Sequence, residues 1–460
     1  MDNIFFLSCF LPLVLLLHWL IPGIKGKNAV LLLVSLVFYS FSGLSGLLLL
    51  VAAALVNYLL GLALKTKLRK VAMIAGVALD IAFLCVFKYL DFILSGVLGL
   101  AHMQLGLIAP LGISFFVFKC ISYLVDGYRN EEQVTCNFAK LLLYISFFPQ
   151  ITMGPITRFN EFAPQLKERT LSLDDTAKGL RRFAAGLGKK ILIAGTLASV
   201  VDGVFAMTAM DIRLAWVGAI AYCLQLYFDF SGYIDMVVGL GIALGFTTRE
   251  NFNYPYIAST VGDFWRRWHM SLSTWFKDYL YIPLGGNRKG TVRTLINLGI
   301  VFAVTGLWHG AELQFIAWGL YHGAFLIAER LLNVKKWQLQ GPVKLAARAY
   351  TLVAVLFGWV LFRAPGLRSA LAYMGRMLWP AGAGAAATAA RFLDMRVAVL
   401  LVLGILLCGP LQTLCKKLHA AVFSEEKTGW LQIAGLAVLF VYDIVLLVSN
   451  TYNPFIYFRF

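Results

Sequence analysis

The stretch VTGLWHGAELQFIAWGLYHGA, residues 304–324, carries one small-residue frame twice: GLWHGA at 306–311 and GLYHGA at 319–324. It is apolar enough to lie in lipid, yet it holds His309 and His322. Gly306 with Gly310, and Gly319 with Gly323, are small residues four apart, the spacing that lets a second helix backbone approach closely. An ionisable side chain in such a segment is a functional candidate by default, because its desolvation must be offset by a partner or a wet cavity. His309 stands beside Thr305, Trp308 and Glu312, which could line such a cavity; His322 has the plainer surroundings of a packing residue. Continuous helix across the thirteen residues between the histidines would separate them by roughly 20 Å, which predicts two separate environments.

The rest of the chain agrees with a lipid setting. Of 460 residues, 60% are hydrophobic and only 14% charged, with a mean hydropathy of +0.78; soluble domains carry about 25% charge. Apolar runs of roughly 20 residues, the length that crosses a bilayer, recur from 3–22 to 429–449 and include 106–125, 137–153, 188–206, 212–230, 233–247, 292–308 and 312–332. They predict an all-α polytopic membrane protein with about 11–13 spans plus re-entrant or interfacial helices. No linker or soluble insertion interrupts it, so it reads as one membrane domain: N-terminal helices over 1–105, a core over 106–335 and C-terminal helices over 336–460. The Ala/Gly-rich segment from Pro380 to Phe392 reads as a connection between late spans.

The first apolar run lacks a basic leader and a small-residue cleavage site, so it is expected to stay as a span. Lys25, Lys27 and the cluster from Lys65 to Lys70 belong to cytoplasmic loops if basic residues stay inside, which predicts an extracytoplasmic N-terminus. The formal charge of +17 is spread over short loops and serves topology and anionic headgroups; no nucleic-acid partner is expected. Seven scattered cysteines without a CxxC pair read as packing residues, and neither a metal site nor a bound cofactor is expected.

Residues 248–290 break the apolar pattern: TRENFNYPYIASTVGDFWRRWHMSLSTWFKDYLYIPLGGNRKG. Phe264, Trp265, Trp268, Leu272, Trp275 and Phe276 recur near helical spacing, opposed by Arg266, Arg267 and Lys277, the pattern of an amphipathic helix lying in the membrane interface. His269 sits among the tryptophans. The loop PLGGNRKG that follows offers backbone N–H groups together with Asn287 and Arg288, a composition able to meet a phosphate. Further upstream, YFDFSGYIDMVVGLG places Asp229 and Asp235 within an apolar run, and SFFVFKCISYLVDGYRN places Lys119 near Asp126 and Arg129. Ion pairs between spans are the expected use of these charges. No GxSxG, HExxH, Walker or dinucleotide-binding pattern occurs in a fitting context.

The runs PLGISFFVFKCISYLVDGYR, FFPQITMGPITRF, LQLYFDFSGYIDMVVGLGIALGF, the 248–290 segment, TGLWHGAELQFIAWGLYHG and the ending NPFIYFRF together resemble the membrane-bound O-acyltransferase (MBOAT) superfamily, in particular its bacterial alginate and cell-wall O-acetyltransferase branch. The likeness is strongest from about residue 106 onward. It implies helices around a central funnel and a catalytic histidine paired with a second histidine or asparagine earlier in the chain. The matching positions are His309 in LWHG and His269 in RWHMSLS. That leaves His322, Asp229 and Asp235 in supporting roles.

The chemistry fits on independent grounds. Attack of a hydroxyl on an acyl thioester requires deprotonation, and a neutral imidazole with a reference pKa of about 6.5 suits that task. His309 is then expected to act as general base or acyl relay, and His269 to position thioester or hydroxyl. Arg266, Arg267, Trp268, Lys277, Asn287, Arg288 and Trp308 are expected to hold the donor. The resemblance implies cytoplasmic acetyl-CoA (or an acyl carrier protein) as donor and, outside the inner membrane, a polysaccharide acceptor or a hydrolase-like acetyltransferase partner. A related branch transfers D-alanine toward teichoic acids. A proton-coupled transporter would show repeated halves, which the sequence lacks beyond the hexapeptide, and a recruiting scaffold would tolerate loss of both histidines.

Overall fold

A computed structural model describes the chain apart from residues 2, 95–97, 100–104, 208–209, 335–336, 338, 380–391, 412–428 and 450–460. The connection expected over 380–392 and the NPFIYFRF ending fall almost wholly outside the described residues. Among the described residues the secondary structure is helices and turns, with no strand. They form two compact units, one of residues 1–180 and 237–249, the other of 181–236 and 250–460.

The first unit contains α1 (Leu11–Leu20), α2 (Ile24–Ser40), α3 (Leu44–Ala63), α4 (Arg69–Lys88), α5 (Ile113–Arg129) and α6 (Phe138–Ser146). In α3 the buried residues are Gly46, Leu50, Ala54, Asn57 and Gly61; in α4 they are Ala72, Gly76, Asp80 and Leu84. Steps of three and four residues make one narrow buried stripe per helix, while Leu48, Leu55, Leu59, Leu79 and Ile81 face outward. In water such faces would be costly; in a bilayer they meet hydrocarbon. The stripes are joined by Asn57, whose Nδ2 donates to Asp80 Oδ1 at 2.9 Å. Gly61 and Gly76 lie against Tyr123 and Leu124 of α5, leaving no space for a side chain of their own. Helix α5 is buried nearly throughout, and its Lys119 donates to the Tyr144 carbonyl at 2.9 Å and to Gln150 at 3.4 Å. The expected grouping with Asp126 holds only for Arg129, which reaches that carboxylate at 3.4 Å.

Two long helices contribute to both units: α7 (Leu173–Gly188), continued through a π-helical turn over Lys189–Ala194 into α8 (Gly195–Phe205), and α9 (Ile212–Ala243). The apolar runs at 212–230 and 233–247 are therefore a single 32-residue helix as far as Ala243. It has 89% of its most apolar stretch buried, against 22% in α4, so α9 is a core helix and α4 a peripheral one. Gly186 and Gly232 each abut the other helix's backbone, since a Cβ on either would meet the carbonyl oxygen of the other. Asp229 and Asp235 form interhelical ion pairs, as expected: Asp229 with Lys190 at 2.5 Å, Asp235 with Arg182 at 2.8 Å and Lys189 at 2.6 Å.

The second unit continues with α10 (Val261–Arg267), α11 (Met270–Phe276), α12 (Gly290–His309), α13 (Leu313–Leu331), α14 (Gly341–Arg363), α15 (Leu367–Leu378), α16 (Met395–Leu407) and α17 (Trp430–Ser449). Among the described residues, six helices are long and apolar enough to cross a membrane, and three apolar helices are shorter. The difference from the hydropathy count has local causes. Two runs merge in α9, the 188–206 run is the second half of a longer span, and the 137–153 run is the nine-residue α6 followed by turns.

Candidate active site

The repeated hexapeptide is a helical hairpin. Helix α12 ends at His309, Gly310 and Glu312 are extended, and α13 begins at Leu313. Gly306 and Gly319 let the two helices meet: a Cβ at Gly306 would strike the Phe315 carbonyl, and one at Gly319 the Phe302 carbonyl, while Gly310 and Gly323 face the side chains of Phe315 and Phe302. This overturns the separation expected from a continuous helix. His309 and His322 both pack against the Trp318 ring, at centroid distances of 5.0 and 5.2 Å, so they cannot be farther apart than those two distances together. Room for His322 comes from α14, where a side chain at Gly358 would run into the imidazole.

His269 reaches the same cluster from another element. The aromatic segment 261–281 is two short helices and a π-helical turn, broken at His269, whose backbone is left-handed with φ of 45°. Outside glycine this conformation is uncommon and is maintained only where the surroundings enforce it. The aromatic stripe expected at a membrane interface instead faces the protein interior. Phe264, Trp265, Trp268, Leu272, Trp275 and Phe276 are all buried, with Trp268 against Trp359 of α14 at 4.9 Å and Trp265 against Trp318 at 5.6 Å. The stripe has protein aromatics as its partners, so amphipathic spacing here reflects a core contact. His269 is 1% exposed and lies edge-on to Phe230 at 4.8 Å. Its imidazole centroid is 6.4 Å from that of Trp308, and His309 sits at 4.7 Å from the same indole.

Three imidazoles thus converge on a set of indoles within one unit. His309 is 6% exposed and His322 fully buried. Burial alone pushes the pKa of His269 down to about 3, so it is neutral at physiological pH. Its Nδ1 faces the side chain of Asn251, and Nε2 has no hydrogen-bond partner among the described residues. Two of the groups expected to line a wet pocket around His309 are engaged elsewhere. Thr305 donates its hydroxyl to the Val301 carbonyl at 2.7 Å, and Glu312 is exposed and bonded to Gln314.

Of the expected donor residues, Trp308 lies between His269 and His309, and the other six separate into two groups. Lys277, Asn287 and Arg288 line one cavity of about 280 Å³ with Tyr281, Ile282, Gly285, Gly286 and Arg330. Three cations and no carboxylate face it, which favours an anionic ligand. Arg266, Arg267 and Trp268 lie elsewhere: both arginines bond Asp263, at 3.4 and 2.9 Å, and Trp268 is 2% exposed in the aromatic core. Asn251 and Arg330 were not singled out by sequence. Asn251 lies in ENFNYPY, but nothing in that run distinguishes its amide from loop polarity. Arg330 is one more cation at a helix end; its neighbour Glu329 accepts from the backbone of Val261 and Gly262 at the start of α10.

The pattern described as "MBOAT, membrane-bound O-acyltransferase family" matches residues 31–372. A probable alginate O-acetylase AlgI from Pseudomonas putida is 38% identical over 99% of this chain and 99% of its own length. A peptidoglycan O-acetyltransferase from Helicobacter pylori is 33% identical over 99% of this chain and 96% of its own. A teichoic acid D-alanyltransferase from Bacillus subtilis is 29% identical over 57% of this chain and 70% of its own. The similarity therefore includes the first hundred residues, beyond the region where motifs alone made it visible.

Proposed function

Because this chain belongs to the membrane-bound O-acyltransferase family, we propose that it moves an acetyl group from a cytoplasmic coenzyme A thioester to an acceptor outside the inner membrane, with His309 as general base. The observation that carries the reading is the convergence of His269 and His309 on the Trp308 indole, in a buried, aromatic-walled site. In the step envisaged, a hydroxyl oxygen bonds to the thioester carbonyl carbon, its proton passes to His309, the C–S bond breaks, and the proton ends on the departing sulfur. A positioned base of this kind contributes about 10²–10⁴-fold.

Lys277, Asn287, Arg288 and Arg330 supply the phosphate-binding end of the donor site, using charge and the planar guanidinium fork. Arg266, Arg267 and Trp268 then have structural roles, and Asp229, Asp235 and His322 support the helices around the site. The acceptor is a polysaccharide hydroxyl, reached directly or through a hydrolase-like transferase on the outer side. The full-length matches to two O-acetyltransferases support acetyl as the group; the partial match to a D-alanyltransferase is the weaker support for a carrier-protein donor. The basic loops support an extracytoplasmic N-terminus.

The test is transfer of label from radioactive acetyl-CoA by the purified chain in liposomes. Loss in His309→Ala with donor binding retained supports the assignment, whereas undiminished transfer in that variant overturns it. Transfer from a D-alanyl carrier protein in place of acetyl-CoA would overturn the donor.

A further inference from the structure

Asn251 is fully buried and contacts three residues around the break between α10 and α11. Its carbonyl accepts from the Met270 N–H at 3.0 Å, and its Oδ1 accepts from the Ser271 N–H at 2.9 Å. These are the first backbone donors of α11, whose own N-cap, His269, makes no side-chain cap. The backbone donor at Ser271 fixes which end of the amide is oxygen, since the flipped amide would set N–H against N–H. The other end, Nδ2, lies 3.2 Å from His269 Nδ1. A longer approach of 3.4 Å joins the same Nδ1 to Oδ1.

An amide nitrogen always carries hydrogens and is never an acceptor. A proton on Nδ1 would have to pass the nearer amide hydrogens to reach Oδ1 at 3.4 Å, an oxygen that already accepts from Ser271, so the shorter 3.2 Å approach favours Nδ1 as the bare, accepting nitrogen. The imidazole proton then resides on Nε2, the buried nitrogen with no protein partner among the described residues. A buried N–H held without a partner by an enforced left-handed residue is a donor awaiting an acceptor.

We propose that Asn251 is a positioning residue that holds His269 as its Nε2–H tautomer, and that this N–H donates to the thioester carbonyl oxygen as negative charge develops there. The inference rests on the O-acyl transfer reading. His269 neither gains nor loses a proton in it: the acceptor oxygen bonds to carbon, electron density moves to the carbonyl oxygen under the Nε2–H, and the C–S bond breaks as that density returns. The hydroxyl proton travels by way of His309 to sulfur. The two histidines are thereby assigned opposite tasks, His309 accepting a proton and His269 donating a hydrogen bond.

The test begins with the full-length protein in nanodiscs, labelled with ¹⁵N-histidine and compared with His269→Gln to assign one of six imidazoles. The expected spectrum shows His269 protonated at Nε2 and bare at Nδ1 at neutral pH; a proton on Nδ1 in the wild type overturns the proposal without any variant. Asn251→Asp keeps an acceptor for Ser271 but turns an acceptor toward Nδ1, so it should move the proton to Nδ1. In liposome assays it should lower kcat by about 10²–10³-fold, the range for loss of one oxyanion donor, with donor KM little changed. In a His269→Gln background, where an amide N–H can donate, the same Asn251→Asp change should cost far less. An equal cost in both backgrounds would make Asn251 merely structural and overturn the proposal. Wild type that shows the Nε2–H tautomer but transfers no acetyl would count against the proposed activity and leave the tautomer assignment standing, so the two failures are distinguishable.

Discussion

Within the second unit, two buried polar regions are built on opposite terms. Along α7 and α9, the carboxylates of Asp229 and Asp235 have cations within 2.5–2.8 Å. Around Trp308 and Trp318, by contrast, three imidazoles sit edge-on to aromatic rings, and His269 Nε2 has no protein partner among the described residues. Both regions break the rule that charge and polarity avoid the membrane interior, but the first pairs its charges within the protein, while His269 Nε2 in the second has no such partner among the described residues. Paired ions hold helices together; on the proposed reading, the unpartnered Nε2 of His269 beside His309 serves a substrate that comes and goes. The proposed function gives stability to one region and chemistry to the other.

The largest effect should come from His309. His309→Ala is expected to lower kcat by about 10²–10⁴-fold while leaving the thermal unfolding of the detergent-solubilised protein nearly unchanged. A comparable loss of stability would erase the contrast between the two regions. The reverse outcome is expected for the ion pair. Asp229→Ala removes the carboxylate bonded to the buried Lys190 and should cost about 3–5 kcal/mol of stability, with kcat per folded molecule retained. Replacing both partners with apolar residues, in Asp229→Leu combined with Lys190→Met, should recover most of that loss, because a missing pair is cheaper than half of one.

The same contrast explains what could be read from sequence. Membrane class and helical content follow from composition, since no soluble core accommodates such a share of apolar residues. The ion pairs of Asp229 and Asp235 were legible because a charge in an apolar run must be matched. The LWHG and RWHMSLS motifs single out His309 and His269, but their meeting was not legible. The hairpin turns at Gly310–Glu312, within a stretch whose apolar character barely falters, so the sequence reads as continuous helix and separates residues that share Trp318. Trp265 and Trp268 misled for a related reason: helical spacing reports that one face is apolar, and cannot tell lipid headgroups from Trp318 and Trp359 as the surface it meets. Asn251 and Arg330 act through long-range contacts that local pattern does not encode.

A moderate effect is expected at the basic cavity, which sharpens the comparison by adding a third kind of polar region, exposed to ligand and charged. Arg330→Ala or Arg288→Ala should raise the KM for acetyl-CoA by about tenfold, the worth of one charge-assisted hydrogen bond, with kcat preserved. The penalty should shrink in high salt. A short acetyl thioester without phosphates should show no difference between wild type and either variant; a matching loss with that donor would place the cavity outside phosphate recognition.

A further comparison concerns pH. Burial holds the folded-state pKa of His269 at about 3, below the ordinary value of 6.5. Above pH 6.5 the residue is neutral in both folded and unfolded chains and adds nothing to the pH dependence of stability. As pH falls from 6.5 toward 3, the unfolded chain takes up a proton that the folded site refuses, so stability is lost on the acid side. His269→Gln should therefore lose less stability than wild type between pH 7 and pH 4, measured by thermal unfolding. An equal slope would mean that the site opens to water and charges readily, which would remove the basis for treating this imidazole as a neutral donor and return it to the same kind of polar group as the paired ions of α9.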